Sequence, residues 1–331
     1  QSGFKSPRGS SEKKRRRLRA KSEQLLVSSV ASFSLDSPTC TMSELFDLKT
    51  FFLTGQYQAA INEGGKVKPR DEFGKIERDI FVYRAFIEQG NYQVVLDGLK
   101  GDNIPPPLQA VRTLASFLSG KTSRDDSLAL ADGWLTEPDF AQDPMVLLML
   151  AILYERADSL QKALQCVYSN KLLEAHAFVI QILLKLRRPD LAEKELREMQ
   201  KANEFAIPTL LATAWVDLAL GGDKIQEAAL TYEDIAKKYG QCFTTLHGVG
   251  VCKLAMGKYA EAEASLLLAL EKNPKNVETL ASLVVVTQLL GKTEDNARFA
   301  SQLRGTQPNH AFLRRLDGLN DDFERASKQF A

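Results

Sequence analysis

The residues of this 331-residue chain with the most suggestive chemistry are two Gly-Lys-Thr tripeptides, at 120–122 and 291–293. A phosphate-binding loop needs a further glycine five positions before that Gly, so that successive backbone N–H groups curl around the phosphates. Ala115 and Val286 stand there instead, so neither tripeptide builds the cradle. Cys242, His247 and Cys252 carry metal-ligand atoms. Their five-residue steps swing roughly 140° around a helix and do not converge on one ion, and packing is their expected role. His176, His247 and His310 are too dispersed for a local catalytic pair. Acids fall beside bases on helix faces, as in Glu193-Lys194-Glu195 and Glu261/Glu263, the pattern of solvated surfaces. The chain has no G-x-S-x-G, no H-E-x-x-H and no G-x-G-x-x-G. It is expected to be no enzyme and to hold no metal or cofactor.

Charge narrows the partners. Lys and Arg number 43 against 42 Asp and Glu, and a net charge of +1 argues against a nucleic-acid or membrane-surface binder. The balance is uneven: nine bases and three acids in residues 1–41 leave 34 bases and 39 acids in 42–331, so the two parts carry +6 and −5. The basic block 13–19 has the composition of a nuclear-localisation or nucleic-acid-binding segment, and the apolar stretch 25–35 that of a signal peptide weakened by four serines. The preferred reading of 1–41 is a disordered basic tail that is not native structure, with Met42 as the natural start. Cys40, Cys166, Cys242 and Cys252 form no C-x-x-C pair, which suits a reducing compartment. The longest apolar run, 145–154, has ten residues, short of the ~18 a membrane span requires.

With no local chemistry to position, what the elements must position is a surface. Residues 246–274 place Leu246, Val249, Gly250, Ala262, Leu266 and Pro274 at the offsets of the tetratricopeptide pattern, with Lys253 where Tyr is usual. Thirty-four residues on, Leu280, Leu283, Ala300 and Pro308 keep the register, while Val284 and Asn296 break its small-residue positions. Thirty-four residues back, Ala228 and Tyr232 match Ala262 and Leu266. A turn signal recurs independently: Gly55-x-Tyr57-x-x-Ala60, Gly90-x-Tyr92-x-x-Val95 and Gly257-x-Tyr259-x-x-Ala262. Glycine takes the left-handed cap, and the aromatic and small residues let the next helix pack closely. Pro144, Pro189 and Pro208 stand where helices begin or end. The β-branched run Val284-Val285-Val286 falls inside a helical repeat. From 105 to about 200 the hairpins persist but the strict period is lost: Ala163, Ala192 and Ala228 are 29 and 36 apart. The expected fold is all-α, an α-solenoid over 42–331 of roughly eight tetratricopeptide-like helical hairpins wound into a right-handed superhelix.

In such an array the first helix of each hairpin lines the inner wall, the usual binding surface. The register places Ile80, Arg84 and Ile87; Thr213, Asp217 and Leu220; His247, Val251 and Leu254; and Ala281, Val285 and Gln288 on that wall. Several are apolar, which fits either packing inside a tightly wound solenoid or a groove filled by a protein partner. They lack the Lys, Arg and Asn that grip a terminal carboxylate.

The stretches "ELFDLKTFFLTGQYQAAINE" (44–63), "ERDIFVYRAFIEQGNYQVVLD" (77–97), "LQAVRTLASFL" (108–118), "VIQILLKLRRPDLAEKELREMQ" (179–200) and "TLLATAWVDLALGGDKIQEA" (209–228) give the chain a family resemblance. From Glu44 onward it resembles the epsilon subunits of coatomer, the COPI vesicle coat. The resemblance implies a tetratricopeptide-like superhelix without enzymatic activity. It also implies stable association with the C-terminal region of the coatomer alpha subunit, and through it the other coatomer subunits, in a coat that assembles from the cytoplasm on Golgi membranes. That coat serves retrograde Golgi-to-ER and intra-Golgi transport, and the subunit is recruited as a peripheral protein rather than inserted. Two other readings stand beside this one: a general tetratricopeptide adaptor for peptide segments, and a helical-toroid enzyme with converging acids or histidines.

Overall fold

The computed structural model describes residues 44–101, 104–168 and 170–328. These fall within the unit Met42–Ala331, and the basic tail read from 1–41 lies outside the described residues. Among the described residues all regular structure is helical. Eight antiparallel hairpins follow one another: α1 Phe46–Leu53 with α2 Tyr57–Lys66, α3 Glu72–Glu88 with α4 Tyr92–Gly98, and α5 Pro106–Leu118 with α6 Arg124–Trp134. After the single turn α7 Pro138–Ala141 come α8 Pro144–Arg156 with α9 Leu160–Val167, α10 Leu173–Lys185 with α11 Pro189–Asn203, and α12 Ile207–Leu220 with α13 Lys224–Tyr239. The last pairs are α14 Phe243–Ala255 with α15 Tyr259–Lys272 and α16 Val277–Leu289 with α17 Thr293–Thr306, and α18 Ala311–Ser327 closes the array. Val284-Val285-Val286 lies inside α16.

Local chemistry sets the boundaries. Asp71, Ser123, Asp143 and Asn276 accept from backbone N–H groups of the first turns of α3, α6, α8 and α16, satisfying donors a helix start leaves orphaned. Pro144 and Pro189 open α8 and α11, and Pro208 stands in the first turn of α12, where the missing N–H costs nothing. Seven of the eight first helices end the same way. A residue at positive φ follows the cap at Gly55, Gly90, Gly120, Asp158, Arg187, Gly257 and Gly291. The next N–H then reaches back five residues, as from Gln56 to the Phe51 carbonyl and from Ser159 to the Tyr154 carbonyl, both 2.8 Å. This is the left-handed Schellman ending. Gly120 and Gly291, the glycines of the two Gly-Lys-Thr tripeptides, are two of these turns.

Five residues beyond the turn, Ala60, Val95, Ala163, Ala192 and Ala262 are fully buried where the second helix crosses the first. Asn296 holds that place in the last hairpin. Its Nδ2 donates to the Val284 carbonyl at 2.7 Å, so a polar side chain fits by binding the facing helix.

The core is four clusters rather than one. The largest spans Ile80 to Val216, a second joins α12, α13 and α14, a third joins α15 to α18, and a fourth fills the first hairpin and α3. Leu53 packs against both the first-hairpin cluster and that of α12 to α14.

Candidate functional site

An open array would leave the first hairpin touching only the second. Here it also meets the sixth and seventh. Gln56 Nε2 donates to the Tyr239 carbonyl at 3.2 Å, across 183 residues of sequence. Gly55 lies so close to α14 that a Cβ built on it would stand 2.4 Å from Thr244 Oγ1. The chain thus closes on itself, and the closure encloses a cleft of about 360 Å3.

First helices wall this cleft. Phe52 and Leu53 come from α1, Arg84 and Glu88 from α3, Leu148, Ile152, Glu155 and Arg156 from α8, Gln181 and Lys185 among others from α10, Leu211 and Trp215 from α12, and Thr244 from α14. The lining is apolar in its walls and charged at fixed points. The Arg84 guanidinium forks onto Glu174, Nη1 to Oε2 at 3.1 Å and Nη2 to Oε1, joining α3 to α10. It also lies 4.5 Å from the Phe52 ring centroid and 5.4 Å from that of Phe81, and only 7% of its side chain is exposed. Lys185 pairs with Glu155, whose other oxygen faces Arg156 Nε at 3.5 Å. Burial, with the Glu88 carboxylate nearby, pushes the Tyr57 hydroxyl well above the ordinary phenol range, so it stays a neutral donor in the cleft wall. Three cations and three carboxylates line the space, and Arg84, Arg156, Lys185, Glu155 and Glu174 are held in ion pairs with one another.

Of the twelve wall residues read from the sequence, Arg84 lines the cleft. Ile80 and Ile87 are buried in the largest core. Thr213 donates to the Thr209 carbonyl at 2.9 Å, Asp217 is buried with its carboxyl pKa raised chiefly by that burial, and Leu220 is exposed. They stand two residues off the cleft face of α12, because α12 and α14 start 36 residues apart, at 207 and 243, whereas stepping back thirty-four assumes a strict repeat. His247 stacks on Phe243 and its Nδ1 lies 3.1 Å from Thr279 Oγ1; burial depresses its pKa. Val251 is half-buried, Leu254 packs against the α15–α18 cluster, and Ala281 belongs to that cluster. Val285 is half-buried and Gln288 exposed.

The histidines serve separate places: His176 Nδ1 lies 2.5 Å from Glu195 Oε1, and His310 Nε2 lies 3.3 Å from Glu278 Oε1. Among the described residues no cluster of His, Cys, Asp or Glu could hold a metal ion, and no helix is long and apolar enough to cross a membrane. Burial pushes the Cys166 and Cys252 thiols up to about 11, which removes thiolate chemistry.

The chain matches the coatomer epsilon subunit family over residues 41–331. It is 38% identical to coatomer subunit epsilon-1 of Arabidopsis thaliana over 287 residues, 87% of this chain and 97% of that protein. It is 32% identical to coatomer subunit epsilon of Dictyostelium discoideum over 294 residues, 86% of this chain and 98% of that protein. Among solved structures, a tetratricopeptide repeat protein from Parabacteroides merdae is similar with a TM-score of 0.55 and 13% identity, over 82% of this chain and 95% of that one. The APC/C hetero-tetramer Cut9-Hcn1 gives 0.56 and 13%, over 82% of this chain and 54% of that one. At such identity the likeness is one of fold, that of stacked tetratricopeptide hairpins. The chain belongs to the coatomer epsilon subunit family, and is a structural, non-enzymatic subunit of the COPI coat that works in vesicle transport with other coatomer subunits.

Proposed function

We propose that the partner held most directly is the C-terminal region of the coatomer alpha subunit, through a protruding segment that enters the cleft closed by the first hairpin. The observation that carries this reading is the cleft itself: six first helices converge on about 360 Å3 of mixed apolar and charged lining. That space suits a few side chains of a presented segment, and is near the lower end of ordinary ligand pockets. The face extends along α14, where Thr244, His247, Val251 and Leu254 follow at helical spacing, and Ala281, Val285 and Gln288 are its proposed continuation on α16. Residues 42–331 act as a single solenoid in this reading. Recruitment to Golgi membranes and COPI-coated vesicles runs through the partner, since no described helix offers a span.

The experiment is co-purification with the alpha subunit's C-terminal region. Gln181→Trp fills the cleft from a half-buried position, and Val251→Asp with Leu254→Asp places charge on its extension. Both variants are expected to lose the alpha subunit while helicity by circular dichroism is retained. Folded variants that bind as the parent does refute the cleft as the site. Tight binding of short free peptides unrelated to the alpha subunit favours the general adaptor instead.

A further inference from the structure

Among the described residues, nothing covers the apolar face of the second half of the last helix. Leu313 is buried in the last cluster, and Arg304 Nη2 donates to Asp317 Oδ1 at 2.6 Å, so the first half of α18 is anchored to the final hairpin. Beyond it Leu319 is 58% exposed and Phe323 74%. Leu316, Leu319, Phe323 and Ala326 follow at steps of three, four and three residues, and Phe312, half-buried against the last cluster, extends the row by four toward the N-terminus. That is the spacing of a coiled-coil seam, here five positions long. Charged residues occupy the rest of the exposed turns, among them Arg315 and Asp322, which immediately precede Leu316 and Phe323.

We propose that this seam pairs with the same seam of a second copy of the chain, antiparallel, about a two-fold axis near residues 317 and 318. In that register Leu316 meets Leu319 of the second copy, and Phe323 meets the edge of Phe312 that its own cluster leaves half-exposed, so like-sized side chains share these layers; Ala326 lies beyond them. A two-fold contact of this kind must be self-complementary. The flanking charges are: an antiparallel seam brings the two positions preceding Leu316 and Phe323 together across the interface, setting Arg315 against Asp322 twice. A parallel pair would face Arg315 with Asn320 and form no ion pair there. The opposite flank of the seam is closed off because Leu313 is turned into its own body, which leaves the Arg315 and Asp322 flank as the accessible one. One helix pair buries less than the ~1,200 Å2 of a stable complex, so the dimer is weak in solution. It is suited to a lattice, where many copies are held side by side and effective concentration replaces affinity.

Sedimentation velocity on the full chain from about 5 to about 300 μM covers the weak range expected of an interface this small. The mass should rise from 36.8 kDa toward twice that value. Leu319→Asp with Phe323→Asp is expected to leave a monomer at every concentration, with helicity unchanged apart from the last turns. Arg315→Glu turns both cross-interface attractions into repulsions and should weaken the dimer about five- to thirtyfold. Asp322→Lys alone does the same, and the two together restore pairing, which a merely structural role of either residue would not do. A parent chain that stays monomeric throughout overturns the proposal. So does a dimer that survives Leu319→Asp with Phe323→Asp, or a charge swap that fails to restore what each single change removed. Capture of another coat subunit by α18 without self-association overturns the choice of occupant.

Discussion

The Arg84–Glu174 pair offers the sharpest test of how the cleft is held. Both groups sit largely out of water, with 7% of the Arg84 and 23% of the Glu174 side chain exposed, and they join helices 90 residues apart in sequence. Glu174→Ala removes the carboxylate and leaves the guanidinium against Phe52 and Phe81 without a counter-charge. Removing one partner of a buried pair costs about 3–5 kcal/mol. Because Glu174 is about a quarter open, water enters and the expected loss is about 2–3 kcal/mol. At about 2–4 °C per kcal/mol for a domain of this size, the midpoint falls by roughly 5–10 °C. Urea unfolding followed by far-ultraviolet circular dichroism gives the free energy, and Trp215 fluorescence reports on the cleft wall itself. The decisive comparison is Arg84→Met with Glu174→Leu, which replaces the pair by apolar side chains and should recover most of the loss, since buried pairs contribute little over a well-packed apolar substitute. Breaking the exposed Arg197–Glu193 pair on α11, 2.8 Å apart, should change stability by less than about 0.5 kcal/mol. A Glu174→Ala protein as stable as its parent refutes the reasoning, as does a double variant no better than the single one.

Other outcomes follow from the turns, the buried imidazole and the thiols. Gly90→Ala meets open space but must hold a positive φ, and should cost about 1–2 kcal/mol. Gly55→Ala carries the same strain and also presses on Thr244 Oγ1, so its loss should exceed that of Gly90→Ala in parallel thermal melts; equal losses would mean the closure against α14 does not constrain the turn. Asp158→Gly and Arg187→Gly relieve left-handed strain at φ 59 and 55 and should stabilise by about 0.5–1 kcal/mol in urea titrations. Burial depresses the His247 pKa, against a smaller opposing pull from Glu278. The unfolded chain therefore takes up this proton first. The contribution is intact above the unfolded value of about 6.5 and is lost as pH falls through it toward the folded one, so His247→Gln should flatten stability between pH 7 and 5. Cys166, Cys242 and Cys252 are buried, and mass spectrometry should find them alkylated only after denaturant is added.

Turn chemistry made the fold legible. Gly55, Gly90 and Gly257 announced three hairpins because a left-handed ending favours glycine, and the Ala163, Ala192 and Ala228 spacings of 29 and 36 marked others whose loops differ in length. Two turns were hidden: Asp158 and Arg187 take the same positive φ without being glycine, so nothing in their type announced them. That concealment also hid the cleft. On three helices the residues ten and six positions before the left-handed residue face inward: Leu148 and Ile152 before Asp158, Ala177 and Gln181 before Arg187, and Leu211 and Trp215 before Gly221. Arg84 was read from the helical spacing of Ile80, Arg84 and Ile87; on α8 and α10 the turn residue had to be known, and on α12 the thirty-six-residue offset from α14. Sequence periodicity could not reveal the closure at all. Gln56 and Tyr239 share no repeat position, and their bond exists only because seven hairpins of unequal length return the chain to its start.

That closure divides the array into two parts with different physics. In an open solenoid each hairpin depends on its neighbours alone, and damage stays local. Here Leu53 belongs at once to the first cluster and to that of α12 to α14, so the first seven hairpins are coupled in a loop, and a change at Gly55 or Gln56 alters a cleft whose far wall lies more than 100 residues away in sequence. The eighth hairpin and α18 lie outside the loop. Their cluster runs from Ala262 to Leu313 without any residue of the first six hairpins, and their end keeps the free edge that a closed array lacks. The closed part has the enclosure needed to hold an inserted segment, and the open end has the uncovered seam needed to meet a second copy. Glu174→Ala should therefore weaken the cleft without touching self-association, and Leu319→Asp should do the reverse.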